Sequence, residues 1–493
     1  MNYYSTRAKT KENGKTAAQV IIKGLSDDGG LYMPEIIPRI DENFIKTLCP
    51  LKYYERAAKV LSLFLTDYTE EELLSCADKA YNYTFDGNTT KISPLYDGVR
   101  MLELWHGPTC AFKDMALQIM PKLLSKALEK TNEQKTALIL VATSGDTGKA
   151  ALEGYKDVKG VKIAVFYPQN GVSRMQKLQM ATQEGNNVSV FAIKGNFDDA
   201  QSGVKAIFLS ESVKKALEEK NTFLSSANSI NWGRLAPQIA YYISAYCDLV
   251  NEKDITNGEK VNITVPTGNF GNIFASYIAK LMGLPVNKLI CASNSNNILT
   301  DFLSTGVYDR NRRFYTTMSP SMDILISSNL ERLLYLVSGA EKTAFYMKEL
   351  SEKGRYEIDK STLDKIKDTF CAYFATEDEC RKTIKETFEK QNYLCDTHTA
   401  VAMSAAEKFK NEHGCAKKNI VVSTASPYKF APDVAKSLGI ELKGEKTDEE
   451  IIKTLSEYTK TAVPKPISEL FGKKIRFDAV LEKTQMQKAV LDL

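Results

Sequence analysis

Four short segments of the 493-residue chain gather side chains able to activate an amine or hold an anion. In Gly107-Pro-Thr-Cys-Ala-Phe-Lys-Asp114, Lys113 follows an aromatic residue and precedes Asp114, the expected N-cap of a helix. Burial and the positive end of a helix dipole both favour a neutral amine, which Schiff-base chemistry requires. A solvated lysine at a helix start accounts for the octapeptide equally well. Val141-Ala-Thr-Ser-Gly-Asp-Thr-Gly148 and Val265-Pro-Thr-Gly-Asn-Phe-Gly-Asn272 each put small and hydroxylic residues where a strand meets a helix. Unpaired backbone N–H groups converge at such a junction, so an anion can be held without a basic side chain. Either loop alone reads as an ordinary strand-to-helix turn. Together they favour anion binding, because ligands gather at the carboxyl edge of α/β sheets. Neither has the spacing of a dinucleotide fingerprint or a Walker loop. In Ser225-Ser-Ala-Asn-Ser-Ile-Asn-Trp-Gly-Arg-Leu235, Asn228, Ser229 and Asn231 offer hydrogen bonds at a helix entrance and Arg234 a planar fork suited to phosphate. A capping turn beside a surface arginine fits these residues as well. Val421-Val-Ser-Thr-Ala-Ser-Pro-Tyr-Lys429 is a strand ending in hydroxyls.

The elements that must position these groups follow from the apolar pattern. Expected strands cover Val99–Leu104, Ala137–Ala142, Val161–Tyr167, Val188–Ile193, Asn262–Val265, Lys288–Ala292 and Asn419–Ser423. Expected helices cover Asp114 to Lys130, kinked or divided at Pro121, then Thr147–Tyr155, Asp199–Glu219 and Asn272–Met282. Short apolar strands alternating with helices imply a parallel sheet covered on both faces. Before them, helical periodicity at Tyr53–Leu65 and Glu70–Tyr81, with Thr69 as N-cap, marks a small α/β unit. The turn-rich stretch from Asp86 to Leu95 marks its boundary. The polar, helix-rich region Asp309–Gln391 reads as an insertion, and Glu449–Tyr458 as one amphipathic helix before a Pro464-Lys-Pro466 linker. The expected units are residues 1–90, a catalytic unit 91–440 with a small lobe at about 135–225 inserted in a large one, and a helical tail 441–493.

Composition narrows the client. With 43% hydrophobic and 26% charged residues the chain can bury a core, which excludes disorder as its general state. Lys and Arg total 65 against 61 Asp and Glu and are dispersed, which argues against nucleic acid and leaves room for a local anion site. The nine cysteines are scattered without a C-x-x-C pair, as free thiols in a reducing compartment would be. Only His106, His398 and His413 exist, at no zinc spacing, so no metal is expected. The amino terminus lacks an apolar leader and no apolar run spans a membrane, so a cytoplasmic protein without membrane partners is expected.

The four segments, in this order, resemble the threonine synthase family, fold-type II pyridoxal-phosphate enzymes related to the tryptophan synthase β subunit. The likeness runs from about Gly24 to Phe430 and rests on Gly107-Pro-Thr-x-x-Phe-Lys-Asp114, Thr143-Ser-Gly-Asp-Thr-Gly148, Asn228-Ser-Ile-Asn231 and Gly268-Asn-Phe-Gly-Asn272. Ser319-Pro-Ser-Met-Asp323 and Ser328-Asn-Leu-Glu-Arg332 match the longer members. The resemblance implies an α/β fold of two open-sheet lobes with an amino-terminal α/β accessory domain, and pyridoxal 5'-phosphate as cofactor. It makes Lys113 the catalytic Schiff-base lysine. Gly268, Asn269, Phe270, Gly271 and Asn272 would cradle the cofactor phosphate, Thr424 would face the pyridine nitrogen, and Asp146 would lie near the phenolic oxygen. Ser144 and Thr147 would hold the substrate carboxylate, and Asn228, Ser229 and Arg234 the substrate phosphate.

The implied reaction turns O-phospho-L-homoserine and water into L-threonine and phosphate, in a monomer or homodimer. Two departures bear on it: Ser426-Pro427 stands where the family has His-Pro after Thr-Ala, and Thr397 stands where it has proline before His398. Other readings are a related phospholyase releasing 2-oxobutyrate, a nicotinamide-dependent dehydrogenase, and a non-catalytic α/β binding protein.

Overall fold

The computed structural model describes the chain except residues 11, 86, 88, 97, 415, 416, 443, 445 and 446 and the side chain at 198. Cys415 and the points Asp86 and Asn88 of the expected boundary thus lie outside the described residues; the other eight cysteines form no disulfide. Two sheets form the frame. The larger runs, in spatial order, Phe370–Phe374, Val286–Ser293, Val261–Pro266, Asn419–Ser423, Val99–Glu103 and Lys91–Tyr96. All its pairings are parallel except that of Lys91–Tyr96 with Val99–Glu103. The smaller is parallel throughout, in the order Val480–Leu481, Val188–Ile193, Val161–Pro168, Thr136–Ala142 and Thr222–Ser226. The inner strands, such as Val261–Pro266, are buried along their whole length, as continuous apolar runs sandwiched between helices must be.

The helix Trp232–Asn251 is buried at nearly every position and serves as the central post. It packs against Tyr53–Ser62 of the amino-terminal unit and Gly271–Met282 of the large lobe. The amino-terminal unit pairs Tyr3–Ser5 antiparallel with Tyr32–Pro34 and adds helices including Tyr53–Ser62 and Glu70–Ala77. Thr69 caps the latter in a reciprocal box, its hydroxyl accepting from Glu72 N while Glu72 Oε2 accepts from Thr69 N. The chain divides near Pro121 into helices Asp114–Leu117 and Met120–Lys130.

Several expectations are corrected. The helix expected over Asp199–Glu219 is two, Phe197–Leu209 and Glu211–Glu219, because Ser210 leaves helical geometry and caps the second. Lys91–Tyr96 is an edge strand rather than part of a boundary turn. The region Asp309–Gln391 is not a mere insertion, since its Phe370–Phe374 forms the far edge of the larger sheet. The tail is not wholly helical, because Val480–Leu481 pairs with Val188–Ile193. Helix Arg174–Ala181 and strand Thr222–Ser226 complete the small lobe.

Gly154 lets helix Asp146–Tyr155 lie directly on the backbone of helix Asp114–Leu117, since a Cβ there would stand 2.0 Å from Leu117 O. Gly154→Ala is therefore expected to cost about 1–3 kcal/mol through overpacking. The check is a lower urea midpoint with an unchanged slope.

Candidate active site

The carboxyl ends of the parallel strands in both sheets open onto one cavity, lined by Phe112, Lys113, Asp146, Thr147, Asn228, Ser229, Arg234, Gly268 to Asn272, Ser321, Met322, His398 and Thr424, with others. Four segments far apart in sequence thus converge as the strand-end rule requires. The Lys113 loop is stitched to the end of strand Asn419–Ser423: Phe112 N donates to Thr424 O at 2.8 Å and Ser426 N to Cys110 O at 3.0 Å. Lys113 precedes helix Asp114–Leu117. Asp114 is not the N-cap; it is the first helical residue, and its buried carboxylate accepts from Thr109 N at 2.8 Å and Thr109 Oγ1 at 2.6 Å, bracing the loop. Burial holds the Lys113 amine down at about 8, with the positive charges of Arg234 and Lys429 adding to the effect and Asp146 opposing it.

In the loop after strand Thr136–Ala142, Thr143 Oγ1 accepts from Gly145 N and Gly148 N, both at 2.9 Å. Gly145 has φ 130°, and a side chain there would collide with the Gln176 amide. This turn delivers Asp146 and Thr147 to the cavity, while Ser144 is half-buried outside its lining. Asp146 Oδ1 meets Lys429 Nζ at 2.8 Å and Gln176 Nε2 at 2.9 Å; its Oδ2 lies 3.8 Å from Lys113 Nζ. Despite burial, the two lysines hold its pKa well below the usual carboxylate range.

The opposite wall is the loop between strand Val261–Pro266 and helix Gly271–Met282. Phe270 adopts a left-handed backbone at φ 61° and sends its ring into the core against Phe370, so it contributes main chain to the cavity. The amides of Gly268 to Asn272 belong to a helix start, where first-turn N–H groups lack helical acceptors. A Cβ on Gly268 would stand 2.8 Å from Ser321 O. Asn272 Oδ1 accepts from the Tyr241 and Tyr242 hydroxyls at 2.5 Å each. Arg234, at the start of the central helix, donates to Ala227 O at 2.8 Å and Thr147 Oγ1 at 3.4 Å. It is buried, and among the described residues no carboxylate pairs with it. Asn231 caps that helix and ties it to the amino-terminal unit through Ile21 O at 2.9 Å. Asn228 lines the cavity with its amide nitrogen donating to Ala142 O at 3.1 Å.

Several site residues escaped the sequence reading. Asn329 Nδ2 donates to Ser229 Oγ at 3.0 Å and Asn269 O at 3.1 Å, joining the two anion-binding walls. His398 Nδ1 faces Asp396 Oδ1 at 2.9 Å while Nε2 accepts from Ser321 N at 3.1 Å, which fixes the neutral tautomer with the proton on Nδ1. Lys429 is fully buried and Gln176 lies beneath Asp146. The available signals were the Asp-x-His spacing at Asp396 and the position of Asn329 and Lys429 inside segments already singled out. Ser426 and Thr397, the two departures, are buried outside the cavity lining.

The residues fit pyridoxal phosphate on their own geometry. Asn269 Oδ1, Asn272 Nδ2 and Arg234 Nε are buried without hydrogen-bond partners, which marks polar capacity left for a ligand. A glycine-bearing helix start suits a phosphate, and an amine poised near neutrality suits a carbonyl. Two α/β lobes closing on such a lysine define the class, and residues 101–426 match the family described as pyridoxal-phosphate dependent enzyme. Residues 2–81 match the threonine synthase N terminus and 399–490 the threonine synthase C-terminal family. Threonine synthase of Saccharomyces cerevisiae is 36% identical over 468 residues, 88% of this chain and 89% of that protein. The crystal structure of PLP-bound threonine synthase from Brucella melitensis superposes with TM-score 0.87 at 34% identity, covering 100% of this chain and 99% of that one. The chain belongs to the threonine synthase family of pyridoxal-phosphate enzymes. Human threonine synthase-like 1 is 38% identical over 495 residues, 97% of this chain, and the chain spans 64% of its length.

Because the neutral amine captures the cofactor aldehyde, the rate of pyridoxal phosphate uptake by cofactor-stripped protein should rise with pH, with a midpoint near the value of about 8 set by Lys113 burial. Stopped-flow absorbance across pH 6–10 checks this.

Proposed function

We propose that the protein is a threonine synthase, a lyase converting O-phospho-L-homoserine and water to L-threonine and phosphate. The observation that carries this reading is a buried Arg234, paired with no carboxylate among the described residues, in the cavity that also holds Lys113 and the Gly268–Asn272 helix start. The helix start takes the cofactor phosphate and Arg234 the substrate phosphate. The cofactor is held by Lys113, the amides of Gly268, Asn269, Phe270, Gly271 and Asn272, Thr424 at the ring nitrogen and Asp146 at the phenolic side. Thr147 and the loop bearing Ser144 take the substrate carboxylate; Asn228, Ser229 and Arg234 take its phosphate.

Bound pyridoxal phosphate supplies an electron sink for carbanions next to the substrate amino group. Lys113 Nζ removes the Cα proton and then one from Cβ as phosphate leaves Cγ with the C–O electron pair; protons return to Cγ and Cα, and water adds its hydroxyl at Cβ while its remaining proton passes to the phosphate. A neutral hydroxyl at Thr424 cannot keep a ring nitrogen protonated as a carboxylate would, which moderates that sink. Arg234 holds the departing phosphate through its formation, and the enclosed cavity strengthens each of these electrostatic contacts. The protein works in the cytoplasm as a monomer or homodimer. Its units are 1–90, 91–440 with the small lobe at about 135–225, and 441–493.

An absorbance band of the bound cofactor, abolished by borohydride and by Lys113→Ala, is expected. Incubation with phosphohomoserine should yield threonine; 2-oxobutyrate without threonine would instead assign the phospholyase reaction. Arg234→Ala is expected to lower kcat/KM by on the order of 100-fold or more while leaving cofactor affinity unchanged. Equal loss of both would contradict two separate phosphate sites.

A further inference from the structure

Asp146 is the carboxylate that faces Lys113, and two lysines compete for it. Lys429 Nζ lies 2.8 Å from Asp146 Oδ1, and Gln176 Nε2 donates to the same oxygen at 2.9 Å. Lys113 Nζ stands 3.8 Å from Oδ2, the far limit of an ion pair. Lys429 is 0% exposed and donates also to Thr109 O at 2.9 Å, on the loop that carries Lys113. Its backbone sits in the turn Pro427–Phe430, whose carbonyl at Lys429 accepts from Ser173 Oγ of the small lobe at 3.3 Å. A fully buried ammonium is costly unless paired, so Asp146 is held to Lys429 by more than proximity.

We propose that Lys429 is a positioning residue for the reaction: by engaging Asp146 through Oδ1 it withholds that carboxylate from Lys113, so that Lys113 is not locked as an ammonium in an ion pair of its own. Lys429 neither lines the cavity nor touches the reacting atoms. It acts through Asp146 and through its own charge. The other groups facing Lys113 are Arg234 from the central helix, His398 from helix Thr397–His413, and Asp114 from its own helix. Asp114 is committed to Thr109, His398 to Asp396 and Ser321, and Arg234 carries the same sign as Lys429. Among the described residues Asp146 is therefore the carboxylate that the two lysines share, through Oδ1 to Lys429 and Oδ2 towards Lys113. The inference rests on Lys113 being the cofactor lysine.

The test uses purified full-length holoenzyme and follows the visible band of the bound cofactor against pH. Loss of the band in Lys113→Ala first establishes which lysine bears the cofactor; a band that survives would overturn the reading of Lys113 itself. Given that loss, Lys429→Met should move the pH midpoint of the band upward by about one unit or more, because a positive charge is removed and Asp146 turns to Lys113. Asp146→Asn should move it downward by a similar amount, because the negative charge that acts most strongly on Lys113 is removed. Opposite shifts from the two halves of one ion pair support the proposal. Shifts in the same direction, or melting and cofactor loss with an unmoved midpoint, would show a brace and overturn it. If Lys429→Met does not fold, Lys429→Gln is read in its place: an upward midpoint supports the proposal, and an unmoved or lowered one sinks it.

Discussion

The site is organised around a scarcity of negative charge in a dry place. Lys429 and Arg234 are buried and the Lys113 side chain is only 12% exposed; among the described residues Asp146 is shared between the two lysines, while Arg234 bonds to a backbone carbonyl and a hydroxyl and pairs with no carboxylate. An isolated charge brought out of water costs several kcal/mol after relaxation, so the folded chain bears this arrangement at the expense of stability. Anionic ligands relieve it. On the proposed function, a cofactor phosphate and a substrate phosphate would bring negative charge to these groups. The mild net charge of +4 needs no basic patch to achieve that, since the pull is local and strengthened by burial.

Holding such a site open requires bracing from outside, and one short segment supplies much of it. Arg332 donates to Ser229 O, Ile230 O and Tyr32 O, and Asn329 reaches Ser229 and Asn269. Next to them Glu331 accepts from Arg7 at 2.7 and 2.8 Å and from Thr6 Oγ1. The amino-terminal unit is thereby bonded to the wall that carries Ser229 and Arg234, directly through Ile21 and Asn231 and indirectly through Tyr32 and Arg332. In this arrangement the amino-terminal unit grips the outer surface of the segment that carries Asn228 to Arg234.

What could be read from sequence follows the same division between local and distant causes. Buried parallel strands such as Val188–Ile193 and Asn419–Ser423 announce themselves as apolar runs, and the glycine-bearing loops that follow them carry their own turn chemistry. Helix Arg174–Ala181 gave no clear apolar period because it buries two glutamines beside Met175, Met180 and Ala181: Gln176 and Gln179 are both fully enclosed, serving Asp146 and Thr109. A period-3.6 apolar pattern is diluted where the buried side also reaches for a carboxylate. The strand Phe370–Phe374 was masked by the charged helices around it, being only half-buried at the sheet's edge. Lys429 carries no sign of its role in the sequence, since its partner lies 283 positions earlier and no local spacing encodes that pairing.

The tail shows why contact, rather than chain order, defines the working unit. Helix Asp448–Thr459 packs on Ala431–Ser437 of the large lobe through Ile451, Ile452 and Leu455. The chain then crosses over, Arg476 bonding to Ala181 O and Gln183 O at 2.8 Å, before Val480–Leu481 extends the small sheet. Met486 fills the space above Gly203, where a Cβ would meet its sulfur at 2.3 Å. The same stretch is therefore fastened to both lobes, on the side of the small lobe that carries Gln176. Any shift of that lobe relative to Lys429 must stretch this strap as well as the Gln176–Asp146–Lys429 chain of hydrogen bonds, so the geometry that sets the Lys113 amine is held from two sides at once.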